Sequence, residues 1–194
     1  MGSFGFYVEL GFQHISDFAG YDHMLFLVAL CAIYRIQQWK RILVLVTAFT
    51  IGHSVTLALS ALDIFTIPSN IIEFLIPVTI FLTAINNVIS ADPAGEKAKM
   101  KKNYLMALFF GFIHGMGFSN YFKALLMDAS SVALPLLGFN IGLELGQILV
   151  VLFIVGIAYL FLDKFGVRQR DWTVFISGAA AGISLIFMLE NKIW

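Results

Sequence analysis

All four histidines of this chain, His14, His23, His53 and His114, lie in or beside strongly apolar stretches, and Asp22, Glu73 and Glu144 lie there with them. Imidazole and carboxylate together form a donor set suited to Ni(II), Co(II), Zn(II), Fe(II) or Cu(II). Neutral histidine is the commonest metal ligand, and an adjacent carboxylate fixes its tautomer. Asp22 and His23 are placed for that pairing, although neighbours on a helix point about 100° apart. The single cysteine, Cys31, excludes an intrachain disulfide and any thiolate-clustered site. Met24 and Met116 flank two of the histidines and read as packing residues. His and Glu chains also carry protons without a metal, but four histidines are more than a relay usually needs.

Ionisable groups in a bilayer cost at least about 2.5–3.5 kcal/mol each on insertion scales, so by default they mark a functional site. One lone histidine has a bland alternative, an interfacial or packing contact satisfied by hydrogen bonding. Seven such residues, with no histidine anywhere else, weigh toward function.

The elements that must position them are membrane helices. The chain is 60% hydrophobic and 12% charged, with 20 phenylalanines and a mean hydropathy of +0.89, against roughly 25% charge in soluble domains. Net charge is zero, which gives no basic footprint for nucleic acid. The first residues, Met1 to Phe18, contain no Lys or Arg and include Glu9 and Asp17. This is unlike a secretory signal peptide, so no cleavage is expected.

Crossing about 30 Å of hydrocarbon takes about 20 apolar residues in a helix, the form that satisfies its own backbone in lipid. Six stretches qualify: Gly20–Ile36, Ile42–Leu62, Asn70–Ser90, Asn103–Leu126, Val132–Leu162 and Trp172–Leu189. The first is short unless extended upstream. The fifth is long for one straight span, and Pro135 near its start predicts a bent or broken entry. The expectation is an all-α polytopic bundle, one transmembrane domain over residues 1–194, with Ser90–Lys102 as its most linker-like stretch and no internal repeat. Of the 12 Lys and Arg residues, only Lys123 and Lys192 fall outside the loops joining spans one to two, three to four and five to six. That asymmetry predicts both termini on the outer side.

Depth and helical phase then arrange the polar groups. At about 1.5 Å per residue, His53 and His114 reach the midplane, while Asp22, His23 and Glu73 enter from outside and Glu144 is near mid-span. The implied cavity opens outward, with His14 and Asp17 at its mouth and an apolar plug rich in Phe109 and Phe110 closing it inward. Asn140, Glu144 and Gln147 recur at i, i+4 and i+7, forming a stripe expected to face the cavity. Gly138, Gly142 and Gly146 lie on roughly the opposite face, where helices approach closely. Thr50 and Ser54 share a face with His53 and are expected to support it. Gly111 and Gly115 bracket His114 and would admit a neighbouring backbone. Gly178 and Gly182 repeat the small-xxx-small pattern and read as packing.

At these motifs the sequence resembles the HupE/UreJ family of bacterial membrane proteins. The matching pieces are Gly11-Phe12-Gln13-His14, Gly20-Tyr21-Asp22-His23, the run from Ala48 through Gly52-His53, and Glu73. To these add Gly111-Phe112-Ile113-His114-Gly115-Met116-Gly117-Phe118 and the run from Leu137 through Asn140 and Glu144 to Gln147. The resemblance implies a nickel or cobalt permease of the bacterial inner membrane, often associated with hydrogenase or urease maturation. It also implies that His14, Asp22 and His23 match the family's signature for metal uptake. Zinc and copper remain open as cargo on the donor set alone.

The leading expectation is therefore a permease capturing a divalent transition metal from outside through His14, Asp22, His23, His53, Glu73, His114 and Glu144. Asp17, Thr50, Ser54, Asn140 and Gln147 would support the site or line the path. The partners expected are the bilayer, the metal and a second copy joined through small-xxx-small faces. An alternative is an intramembrane zinc hydrolase with three His ligands and Glu73 or Glu144 as general base, although no HExxH spacing is present. A metal sensor or a structural metal site is a third reading.

Overall fold

The computed structural model describes residues 4–17, 20–64, 67–90, 96–126 and 132–193. The described residues form helices and no strand: α1 (Phe4–Ser16), α2 (Tyr21–Cys31), α3 (Trp39–Ala61), α4 (Ser69–Ile89), α5 (Glu96–Leu125), α6 (Ala133–Tyr159) and α7 (Gln169–Glu190). Five of these, α3 to α7, are long and apolar enough to cross a membrane. The protein is a polytopic helical membrane bundle.

The first span departs from a single Gly20–Ile36 helix. α2 has only 11 residues, roughly 16 Å at helical rise, which is half a bilayer core. α1 supplies the rest as a separate 13-residue helix upstream, so two half-length helices meet at a break. The fifth span departs in the opposite sense. Pro135 sits in the first turn of α6, where a missing N–H breaks no helical bond, and the entry is continuous. The irregularity is at its far end, where Leu160–Lys164 form a π-helical turn. The stretch expected as a linker is also shorter: α5 begins at Glu96, so its lysines at 97, 99, 101 and 102 lie on a helix. Residues 91–95 lie outside the described residues.

Glycines decide which helices meet. A Cβ on Gly52 would stand 2.2 Å from the Leu108 carbonyl oxygen, and one on Gly111 would stand 2.2 Å from that of Phe49. The backbones of α3 and α5 therefore touch, running parallel, with Gly115 against His53. α1 lies against α6 in the same way. Gly138 meets Phe4, Gly142 meets the Val8 carbonyl and Gly146 meets Phe12 and Ile15, so α1 runs parallel to the first half of α6. α2 then descends between α4 and α7, where Ala29, Ala84, Ala180 and Ala181 form a tight alanine contact. Arg35 ties the end of this span to the start of α7 through Gln169 (3.0 Å) and pairs with Asp163. At the opposite end of the bundle Lys123 pairs with Asp63.

Among the described residues Gly178 and Gly182 serve no packing contact, since a Cβ on either meets nothing within 4 Å. The contrast yields a prediction. Gly142→Ala should lower the melting temperature in detergent, because overpacking of this kind costs about 1–3 kcal/mol. Gly178→Ala should leave it unchanged. Equal effects of the two variants would contradict the packing described.

Candidate metal centre

Each histidine is carried to the centre by an adjoining glycine contact or by the helix break. His14 follows Gly11, whose Cα lies on the backbone of Phe139 and Leu143. His53 follows Gly52, His114 is flanked by Gly111 and Gly115, and His23 opens α2 just after the break. The rings of His14 and His23 are 4.8 Å apart between centroids, those of His14 and His53 5.6 Å, and those of His23 and His114 5.0 Å. One ligand atom from each of His14, His23 and His53 lies within 4.8 Å of the other two. Nitrogens around a metal with bonds of about 2.1 Å stand roughly 3–4 Å apart, so side-chain shifts of about an ångström would close the set.

Hydrogen bonding fixes which nitrogens face that centre. Asp22 Oδ1 accepts from the His23 backbone N–H (2.8 Å) and lies 3.0 Å from His23 Nδ1. With the proton held on Nδ1, the lone pair is on Nε2. The Thr79 hydroxyl donates to the Ile76 carbonyl (2.7 Å) and lies 3.0 Å from His114 Nε2. A hydroxyl has one proton to donate, so in the neutral ring His114 Nε2 is the donor and Nδ1 carries the lone pair. His23 Nε2 and His114 Nδ1 are buried and have no hydrogen-bond partner among the described residues; the same holds for His14 Nε2 and both nitrogens of His53. Leaving one buried polar atom unpaired costs about 1–3 kcal/mol. Five in one place make a donor set suited to an imidazole-ligated metal.

The surroundings are aromatic. Phe118 packs on His14 at 4.0 Å, Phe139 stacks on His53 and Phe118, and Phe26 and Phe49 close against His114. A cavity of about 510 Å³ reaches the cluster from the end of the bundle holding Asn191. Its wall includes Gln13, His14, Asp17, Asp22, His23, Glu73, His114 and Tyr121. Pro77 is also on that wall and has no N–H, so it leaves the Glu73 carbonyl without its helical donor.

The sequence-derived candidates divide accordingly. His14, expected at the mouth, is in the cluster itself, beside His23 and His53, while Asp17 and Glu73 are exposed on the cavity wall. The Asn140–Glu144–Gln147 stripe, expected to face the cavity, faces α3 instead at its last two members. Thr47 donates to Glu144 Oε1 (2.6 Å) and Thr50 to Gln147 Oε1 (2.7 Å). The Asn140 side-chain oxygen is buried without a partner among the described residues. Neither Thr50 nor Ser54 hydrogen-bonds to the His53 ring: Thr50 donates to Gln147 and Ser54 to the Thr50 carbonyl. Of the expected plug, Phe110 is buried and joined by Phe26, whereas Phe109 points out of the bundle at 58% exposure. Sequence reasoning missed Thr79, whose place eight residues before Asn87 on one face of α4 is readable but carries no charge to draw notice.

These features define a class: a multi-pass helical membrane protein with a buried histidine cluster at the foot of an open cavity. The family model for the HupE / UreJ protein matches residues 1–191, so the chain belongs to the HupE/UreJ family. Neither a curated protein nor a solved structure matches it.

Two substitutions separate the groups. Asp22→Asn should weaken nickel binding by the purified protein about 10–100-fold, the usual effect of losing a partner that orients a ligand. Glu144→Gln should leave binding unchanged. Competition against a chromophoric chelator reads both, and a larger loss in Glu144→Gln than in Asp22→Asn would reverse the assignment.

Proposed function

We propose that the protein is a permease for a divalent transition metal of the nickel or cobalt type, which it takes up from the outer side of a bacterial inner membrane. The observation that carries this reading is the convergence of His14, His23 and His53 from α1, α2 and α3, with unpaired nitrogens, where the cavity ends. The HupE/UreJ family is associated with nickel and cobalt transport. Asn191, just past α7, is on the wall of the open cavity, and ten of the twelve Lys and Arg residues lie toward the opposite helix ends, which supports an external cavity by the positive-inside rule.

The broken first span supports the same reading. Discontinuous helices are how transporters bring helix ends to a mid-membrane site. The C-terminal end of α1, with its partial negative charge, arrives at the cluster through His14. Asp22 adds one full negative charge beside three neutral imidazoles, which offsets part of the cost of a dication in a low-dielectric interior. Its carboxylate acts through His23, holding the ring with Nε2 toward the ion. His14, His23 and His53 are the proposed ligands, His114 is a fourth imidazole one step further in, and Asp17 and Glu73 are acidic groups that attract cations at the entrance. A hydrolase would need a free carboxylate beside the metal. Glu144 is instead occupied by Thr47 on the flank of the bundle, and Glu73, exposed on the cavity wall, does not join the group of ligand atoms formed by His14, His23 and His53 among the described residues.

Cells expressing the protein should accumulate radiolabelled nickel or cobalt. His23→Ala and His53→Ala should reduce accumulation to that of cells lacking the protein. Undiminished uptake in both variants would refute the permease reading.

A further inference from the structure

A permease needs a second half-route from the cluster to the cytoplasm, and that half of the sequence offers almost no ionisable side chain. We propose that the route is the neutral polar edge of α4, formed by Thr79, Thr83 and Asn87 and continued by Asn86 and Asn103. The proposal rests on the permease reading and names the inner path of the same site.

Thr79, Thr83 and Asn87 recur every fourth residue, so they form one line along α4, and all three are buried. The line begins at the cluster, where Thr79 meets His114 Nε2 at 3.0 Å. Thr83 follows one turn lower and donates to the Thr79 carbonyl (2.9 Å). Asn87 lies another turn lower, donating to the Ala29 carbonyl (2.7 Å) and to Ser177 (3.2 Å). A small second cavity opens where the line ends, walled on its polar side by Thr83, Asn86, Asn87 and Asn103. From there Asn86 accepts from Lys102, at the basic end of the bundle. The line therefore connects the histidines to the lysine-bearing surface without a gap longer than one helical turn.

The chemistry suits release. Hydroxyl and amide oxygens are uncharged, hard donors that bind nickel or cobalt far less firmly than imidazole. Conduction requires sites weak enough to be left as well as entered, and a carboxylate or histidine here would hold the ion back. Phe110, one turn before His114 on α5, meets Phe26 at 6.2 Å beside this line. Phe110 lies one turn from Met106 of the second cavity and one turn from His114, so the pair sits at the level between the two. Buried Thr and Asn also join membrane helices simply as hydrogen-bond contacts, so the test must read access and not only stability.

The test uses the full chain with Cys31→Ala, which removes its one native thiol, and adds Thr83→Cys. A charged, membrane-impermeant methanethiosulfonate should modify this cysteine in inside-out vesicles and leave it untouched in right-side-out vesicles. Nickel chloride should slow the reaction several-fold. Absence of modification in inside-out vesicles, or modification that nickel does not slow, would overturn the proposal. In parallel, Thr83→Val and Asn87→Leu should lower nickel accumulation by tenfold or more while the purified variants still bind nickel as the parent does. Full accumulation in both would also overturn it. Should either variant lose nickel binding, and with it the assurance of a native fold, the labelling result decides. Failure of the unmodified protein to bind or accumulate nickel is a different result, and it removes the permease reading itself.

Discussion

The positions of His14, His53 and His114 follow from where helix backbones are allowed to touch. Water offers no help here, because lipid tails are as apolar as leucine and helices gain nothing by hiding leucines from them. Association must come from close packing, and the closest contacts are the glycine seats of α3 on α5 and of α1 on α6. Gly52 and Gly111 bring their helices together at the level of His53 and His114. Gly11 and Gly142 hold α1 at the depth where its last turn presents His14. The same contacts that hold the bundle together thus set the geometry of the cluster, and a methyl group at any of these four glycines would disturb both.

A buried imidazole is costly unless its nitrogens have partners, and two of the four rings are half satisfied in a directed way. Asp22 holds one nitrogen of His23 and Thr79 holds one of His114, so each ring is fixed in rotation and left with a lone pair pointing elsewhere. The His53 ring is held by no hydrogen bond among the described residues. It is fixed by packing between Phe49 and Phe139. Orientation by a hydrogen bond on the far nitrogen is how metal-binding histidines are commonly prepared. The aromatic rings around them lower the local dielectric, which strengthens any charge interaction made inside.

Much of this was legible in the sequence, and the failures have physical causes. Hydropathy and length found the spans that became α3 to α7, because twenty apolar residues leave a bilayer-spanning chain little choice but a helix. The break between α1 and α2 escaped, since helices of 13 and 11 residues each fall short of the length by which a span is recognised. The small residues on α6 and around His114 were read correctly as places of close approach. Gly178 and Gly182 have the same spacing and meet nothing among the described residues, because spacing says that a helix can approach and not that one does. Helical phase put Asn140, Glu144 and Gln147 on one face but could not say which neighbour that face would meet, and the neighbour is α3. Phe109 and Phe110 differ by about 100° in direction, enough to send one to the outer surface and the other into the core. Thr79 was missed because a hydroxyl in a membrane helix is cheap and gives no charge signal.

The permease reading turns on whether His14, His23 and His53 share one divalent ion. A nickel-edge anomalous difference map from crystals of the nickel-loaded protein tests it most directly. A single strong peak is expected between these three rings, about 2.1 Å from one nitrogen of each, with His23 contributing Nε2. A peak at Glu144, at the lysine-bearing end of the bundle, or nowhere near the three rings would contradict it.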